Sequence, residues 1–484
     1  MNRAAVLKET PVPPPVLLVN PNLMKPPVTP VGLDHIGQHL RLAGFDVRVL
    51  DLALEADLAA ALDRELSREW LLVAVSVRNI DDSFAASRDF CLERTRTIVA
   101  AIRARTDAPV VLGGVGFSLF PQATLAYCDV RYGIRGEGEE PLSRLARCLA
   151  DGRSPSRVPG LLVRRDGHLV VDNPPFRHDL AVLPAWRRDV VDNARYLAEG
   201  GQVGFETKRG CPNACAYCAD PVAKGARVAA RSPRQVADEL EGLARRGIDV
   251  FHTCDAEFNV PRDHALAVCQ ELARRRLGRR IRWYAYAIPD GFDDELADAM
   301  ARAGCVGVDF TADHADEGML AALGRSHTPD DLRCAAAACL KKGLAWMFDL
   351  LLAGPGETRE TIRHTIDFMK EVGPDRVGTS LGVRLYPGTP LVERLQAEGP
   401  LADNPSVFGI EDNETLLRPV YYVEHRLGED VDDYVRELIA GDDRFLFPSG
   451  NTSTENYNYN DNSLLAAAIR KGARGAFWDI LRRM

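Results

Sequence analysis

The segment KRGCPNACAYCAD, residues 208–220, follows directly on the apolar run QVGFET (202–207) and sets how the rest of the chain is read. Cys211, Cys215 and Cys218 stand in it at the spacing C-x3-C-x2-C on one short loop. Thiolates so placed can converge on an iron–sulfur cube. Three protein ligands leave one iron open, and an open metal position is what a catalytic site requires. A structural zinc site needs a fourth ligand, and no nearby Cys or His supplies one.

Outward from this loop the chain repeats a strand–helix unit. Apolar runs at 202–207, 250–254, 281–287, 305–312, 345–353 and 376–386 alternate with segments of helical period such as SPRQVADELEGLARRG (232–247), where Ser232 is a good N-cap. Six such units fall short of a closed eight-unit barrel, so an open partial barrel is expected, with its chemistry at the strand C-termini.

Upstream lies a second series of the same kind. Its runs are VLLVN (16–20), FDVRVLDL (45–52), LLVAVSV (71–77), PVVLGG (109–114) and VRYGIRG (130–136), separated by helical stretches, the first of which closes on Gly44. Strands of this kind, buried on both faces, predict an α/β doubly wound, flavodoxin-like parallel sheet that binds ligands at its carboxyl edge. The boundaries that follow are a flexible leader (1–15), a doubly wound domain (16–152), a linker with a small strand pair (153–198), the partial barrel (199–395) and a small mixed C-terminal region (396–484). In that last region the polar run 451–462 reads as a loop and SLLAAAIRKG as an amphipathic helix.

Bulk properties narrow the function. A net charge of −9 argues against a nucleic-acid partner. No apolar run is long enough to span a membrane, and the start lacks a signal core, so a cytoplasmic location is expected. Eleven cysteines are too sparse, and odd in number, for a disulfide framework. Cys91, Cys128, Cys148, Cys269, Cys305, Cys334 and Cys339 lie in apolar or helical stretches and are expected to pack in the core; Cys254 could face the barrel site, with buried packing the expectation.

The cysteine loop after the first strand of a six-unit barrel, with aromatic Tyr217 before the third cysteine, resembles the radical S-adenosylmethionine (SAM) superfamily. The resemblance implies a [4Fe–4S] cluster on Cys211, Cys215 and Cys218 whose open iron is chelated by SAM, and reductive cleavage of SAM to a 5′-deoxyadenosyl radical. It carries over further contacts. TCDAEF (253–258) stands where the family has a Gly-Gly-Glu-like segment, though both glycines are missing, and makes Asp255 and Glu257 candidates for the methionine amino group. VDFTAD (308–313) offers Asp309 and Asp313 to ribose or ammonium groups. LLLAGPGET (350–358) resembles the family's adenine-bracing element without its first glycine, through Leu352, Gly354 and Glu357. Arg384, after the sixth strand, could pair with a carboxylate.

A doubly wound domain ahead of such a barrel resembles the cobalamin-binding subfamily of these enzymes. Its candidates are Asn20 and Pro21 after the first strand, Ser76 after the third, Gly113 and Gly114 after the fourth, and Gly136, Glu137 and Gly138 after the fifth, the glycines letting backbone approach a flat macrocycle. The subfamily's D-x-H-x-x-G signature is absent: DHIG (34–37) has the wrong spacing and sits within a helix, which leaves His35 and His39 as surface or packing residues. Cobalamin is therefore expected base-off, with no protein histidine ligand. The resemblance implies a methyltransferase acting on an unactivated carbon of a small-molecule or peptide substrate through the deoxyadenosyl radical and methylcobalamin. A low-potential ferredoxin or flavodoxin would supply electrons. Oxidation, cyclisation or rearrangement on the same cofactors, or a non-catalytic corrinoid and iron–sulfur protein, are the alternatives.

Overall fold

The computed structural model describes residues 15–183, 185–447 and 462–484. Alternation along the first series separates two cores. Leu17, Val19, Val73 and Val75 face one set of helices, while Val16, Leu18, Leu72 and Ala74 face the other. Strand Pro15–Asn20 lies between Asp46–Asp51 and Leu72–Ser76, and Val110–Gly113 and Tyr132–Ile134 complete five parallel strands. The pair Leu161–Arg165 and His168–Asp172, expected inside the linker, instead adds antiparallel to Tyr132–Ile134 and makes a seven-stranded sheet.

In the second series Val203–Phe205, Val250–Thr253, Arg282–Ala287, Cys305–Asp313, Ala345–Leu352 and Arg376–Leu381 pair in chain order, all parallel, with Phe445–Leu446 added at the far edge. Phe205, Phe251, Trp283, Val308 and Phe348 point outward into the helix layer and form the main core. On the inner face Val250, Tyr284 and Met347 pack against Ala476 and Trp478 of the C-terminal segment, which closes the lower end of the open barrel.

Several expectations change on contact with the fold. The run 376–386 is not one strand. Gly382, at φ +92°, ends the barrel strand, and Val383–Arg384 turns away to pair antiparallel with Tyr421–Tyr422 in a separate three-stranded sheet. The linker is not loose: Arg188 is fully buried and ties Asp34 of the first domain (2.7 Å) to Glu239 of the barrel (2.6 Å). Cys334 is exposed and Cys91 and Cys148 are half-buried, because the buried face of helix Pro329–Lys342 runs through Leu332, Ala335, Ala336 and Cys339 and leaves Cys334 outside. Cys128, Cys269, Cys305 and Cys339 are buried. The helix after the polar run spans Ser463–Arg470, whereas the loop at 451–461 and the leader at 1–14 lie outside the described residues. Among the described residues no helix is long and apolar enough to cross a membrane.

Candidate functional site at the barrel mouth

The cysteine loop is held from three sides. Cys211 N–H donates to the Gly225 carbonyl (3.0 Å), Ala216 N–H to Leu323 O (2.8 Å), and Ala216 O accepts from Leu391 N–H (2.8 Å). Gly210, at φ +87°, lies where a Cβ would collide with the Arg227 carbonyl, so the turn into Cys211 needs glycine. A polar relay backs the loop. Arg325 Nη1 donates to Cys215 Sγ (2.9 Å), its Nε pairs with Asp313 (3.3 Å), and Asp313 accepts from Tyr217 OH (2.6 Å). Tyr217 and Asp313 thus brace the loop and Arg325 from below.

Burial raises all three thiols, with Arg325 partly opposing the rise at Cys215, so cluster assembly must displace protons. Among the described residues the possible metal ligands gathered within 4.8 Å are Glu137, Glu139 and His178. Their centre is already filled by Arg209, which donates to Glu137 (3.2 Å) and Glu139 (2.6 Å). The three cysteine sulfurs do not all lie within that distance of one another, which suits separate irons of a cube.

The remaining barrel candidates divide by how fully they are engaged. Asp255 is saturated: it accepts from Thr207 N (2.8 Å), Thr207 Oγ1 (2.5 Å), Lys208 N (3.2 Å) and Lys208 Nζ (3.1 Å), so it fixes the strand end rather than facing a ligand. Glu257 accepts only from Thr311 Oγ1 (2.8 Å); its buried Oε2 has no partner, and burial pushes the carboxyl up to about 7. That orphaned oxygen beside the cysteine loop is what an ammonium of SAM would satisfy. Glu357 accepts from Thr361 Oγ1 and lies 3.2 Å from His314 beneath the fifth-strand turn. Leu352 is core, its carbonyl taken by Gly382 N–H (2.8 Å), while a Cβ on Gly354 would meet nothing closer than 3.4 Å. Arg384 has no donor left. It serves Asp81 (2.9 Å) and the carbonyls of Leu385, Leu416 and Val420, so it locks the first domain to the C-terminal sheet and does not reach the SAM pocket.

Arg209–Glu137 and Arg384–Asp81 join loops at the carboxyl edges of both sheets, so the two ligand-binding edges face each other. Ser76 and Gly113 are in register across the middle of the first sheet's edge, with no bulky side chain between them, a fit for one edge of a corrin ring. The glycines beside them act differently from expectation. A Cβ on Gly114 would meet Val77 O at 2.5 Å, and one on Gly136 would meet Pro175 at 2.9 Å, so these two let neighbouring turns of the protein pack. A Cβ on Gly138 would meet Ile36 at 3.1 Å. Asn20 donates to Asp51 (2.8 Å) and Tyr196 (3.0 Å) and shapes the turn through buried Pro21. His35 stacks on Trp186 at 4.2 Å and lies 3.3 Å from Glu206; it is buried, not on the surface, and His39 is half-buried beside Glu140.

The inner face of the barrel carries further residues, of which Tyr286 shares with Tyr284 the face that strand alternation gives them. His252, Tyr286, Thr311 and Asp349 lie within the barrel yet keep some exposure, and Cys254 is exposed, so open space reaches them. Cys254 therefore corrects the packing expectation. Asp309 is hydrogen-bonded to Asp349 on the next strand, and burial together with that like charge drives its carboxyl far above the usual range. Burial pushes His252 down to about 4, so it is a neutral ring 4.8 Å from Tyr286. The signal for Asp349 was present: it is the one charge in the apolar strand AWMFDLLLA.

Residues 205–369 match the Radical SAM superfamily and residues 24–146 the B12 binding domain. The chain is 32% identical to a Tryptophan 2-C-methyltransferase of Streptomyces laurentii over 96% of its own length and 95% of that protein. An uncharacterised methyltransferase of Pyrococcus horikoshii is 25% identical, covering 84% of this chain and 86% of that one. Two structures of the radical S-adenosylmethionine methyltransferase TsrM from Kitasatospora setae superpose with TM-score 0.88 at 31% identity, over 97% of both chains. One holds tryptophan and a SAM analogue, the other cobalamin and a [4Fe–4S] cluster.

Proposed function

The chain belongs to the cobalamin-dependent radical SAM methyltransferases, and from that premise we propose that it methylates carbon in a small aromatic amine of the tryptophan type, held in the barrel lumen. The observation that carries this reading is the lumen itself. It is walled by His252 and Tyr286, floored by Tyr284, Met347 and Trp478, and bears carboxyl groups. When bound, the cluster with SAM supplies radical chemistry and cobalamin supplies a transferable methyl group.

The protein's own residues supply position and exclusion of water. Cys211, Cys215 and Cys218 hold three irons, with Arg325 donating toward Cys215. Glu257 takes the SAM ammonium on its open Oε2. Ser76 and Gly113 give the corrin edge a flat seat. The apolar floor around Trp478 keeps water from entering below. His35, engaged by Trp186 and Glu206, would serve the packing of its helix rather than the corrinoid. Electrons come from a low-potential ferredoxin or flavodoxin, and the cytoplasm is where such a donor and reduced cysteines coexist.

Anaerobic reconstitution with iron, sulfide and hydroxocobalamin, followed by incubation with SAM and L-tryptophan, tests the proposal. Four irons and one corrinoid per chain, with a methylated tryptophan by mass spectrometry, are expected. One deoxyadenosine per product marks attack on an unactivated carbon, and none marks an electron-rich ring carbon. Iron without corrinoid would remove the methyl source, and a fully loaded enzyme that leaves tryptophan unmethylated would remove the substrate.

A further inference from the structure

We propose that His252 binds the substrate through a ring N–H, with Nε2 as the acceptor, and so selects an N–H heteroaromatic ring over isosteres that lack the donor. This rests on the reading of the lumen as the substrate pocket. His252 stands on strand Val250–Thr253, in register with Gly204 on one side and Tyr284 on the other. Alternation from buried Val250 puts its ring on the inner face, one step above the floor around Trp478. The ring lies within the barrel yet keeps some exposure, so the space it meets is the lumen.

The two ring nitrogens are set apart by their surroundings. Nδ1 lies 2.8 Å from the Thr253 carbonyl oxygen, which can only accept, so Nδ1 carries the ring proton. Burial pushes the ring down to about 4 against the pull of that bond, and no charge among the described residues contributes. The ring is therefore neutral at physiological pH, and Nε2 is a bare acceptor. Nε2 has no hydrogen bond to any described residue, and it is not sealed in protein as the unpartnered Nε2 of His35 is. The hydroxyl of neighbouring Tyr284 does not serve it, because that group donates to Asp479 (2.6 Å) at the barrel floor. The bond at Nδ1 fixes both the tautomer and the plane of the ring, and with them the direction in which Nε2 accepts.

Shape and charge around this acceptor say what it takes. Tyr286 packs on His252 with ring centroids 4.8 Å apart, and Tyr284 lies nearly parallel to it at 6.4 Å and 13°. A flat ring entering beside these aromatic faces buries its area and presents an edge to Nε2. The acceptor is uncharged and matches an uncharged N–H, whereas a carboxylate suits an ammonium. Packing on Tyr286 alone would need neither nitrogen, and a phenyl ring would serve it as well.

The test measures equilibrium binding to the reconstituted holoenzyme and to its His252→Phe variant, which keeps an aromatic ring and removes the acceptor. Probes are L-tryptophan, 3-benzothienylalanine, which has sulfur in place of the N–H, and SAM. Wild type should bind tryptophan about 10-fold more tightly than the sulfur analogue, which leaves the acceptor unpaired. In His252→Phe the two should bind within about 2-fold of each other, with cofactor content and SAM affinity unchanged. His252→Gln, whose amide oxygen can accept, should restore part of the preference. Equal binding of the two probes by wild type, or a preference that persists in His252→Phe, would overturn the acceptor. Where thermal unfolding shows that His252→Phe does not fold, His252→Gln takes its place, and its preference must fall below that of wild type. If wild type binds neither probe, the tryptophan-type substrate falls, and indole against benzothiophene decides the acceptor separately. A preference for indole that His252→Phe loses upholds it, and no preference or no binding removes it.

Discussion

Two groups of buried charges lie in this molecule, and they are built on opposite rules. At the domain junction Asp34, Arg188, Glu239 and Arg231 alternate in sign, linked at 2.7, 2.6 and 2.7 Å. In the lumen Asp309, Asp349 and Glu257 are all acids, and oxygens of Asp309 and Glu257 stand unpartnered. The junction alternates in sign, although Arg231 Nη2 and Glu239 Oε2 lack hydrogen-bond partners there too, whereas the lumen gathers acids on one face. Burial alone does not tell the two apart, because Asp309 and Glu257 are as buried as the junction residues. Charge balance does.

The largest effect expected on this contrast comes at the loop above the lumen. Replacing Cys211, Cys215 or Cys218 singly by Ala should abolish SAM cleavage and methyl transfer, while the unfolding midpoint of the cluster-free protein moves little, since each thiol is replaced by a similar small apolar group. Iron analysis with assays of deoxyadenosine and of methylated product checks it. Retained turnover in any of the three variants would break the assignment of the loop.

Next in size is the junction. Arg188→Met leaves Asp34 and Glu239 without their common cation, and breaking a buried pair of this kind costs roughly 3–5 kcal/mol. Chemical denaturation should show that loss, whereas Asp309→Asn, which replaces an acid already held near its neutral form, should change stability by less than about 1 kcal/mol. Equal losses in the two variants would erase the distinction between the sites.

The same contrast shows in how far the sequence could be read. Both strand–helix series were legible because alternation of apolar residues is a local property, and it matches two cores on one sheet and an outward core on the other. The cysteine loop was legible because its ligands lie within eight residues, Cys211 to Cys218. Arg188 was not, because its partners are 154 and 51 residues away and a linker rich in prolines and arginines gives no period to follow. Arg384 misled for the opposite reason. It follows an apolar run that reads as one strand, and the break at Gly382 with its antiparallel partner at Tyr421 is a tertiary event. Asp349 was written plainly in an apolar strand, but only its hydrogen bond to Asp309 gives it a role.

A third prediction uses pH. Glu257 has a folded-state pKa of about 7 against an ordinary value of 4.5, so between those values the folded protein binds more protons than the unfolded chain. Stability of the cofactor-free protein should therefore fall as pH rises from about 4.5 to 7, and Glu257→Gln should flatten that part of the profile. The junction behaves inversely. Asp34 and Glu239 are held below their ordinary values by Arg188 and Arg231, so their contribution is present above about pH 4.5 and is lost in acid. A slope from 4.5 to 7 that Glu257→Gln leaves unchanged would contradict the lumen half of this comparison.

The smallest change tests the one hydrogen bond that restrains Glu257. Thr311 Oγ1 donates to Glu257 Oε1 at 2.8 Å and also accepts from Arg325 Nη2 at 2.8 Å. Valine keeps the shape and removes the hydroxyl. Arg325 retains the Thr311 main-chain carbonyl and Asp313, so its own position should hold. Glu257, by contrast, loses its one donor; burial pushes its carboxyl up, the Arg325 charge opposes that most, and the Thr311 hydrogen bond adds to the opposition. Thr311→Val should therefore lower stability by about 1 kcal/mol and move the upper end of the pH-dependent stability range above 7. Pairing it with Glu257→Gln in a double-mutant cycle isolates the contact. If the range did not move, the charge of Arg325 alone would set the Glu257 carboxyl and the Thr311 contact would carry no weight. The contrast with the junction would then rest on Asp309 and Asp349 alone.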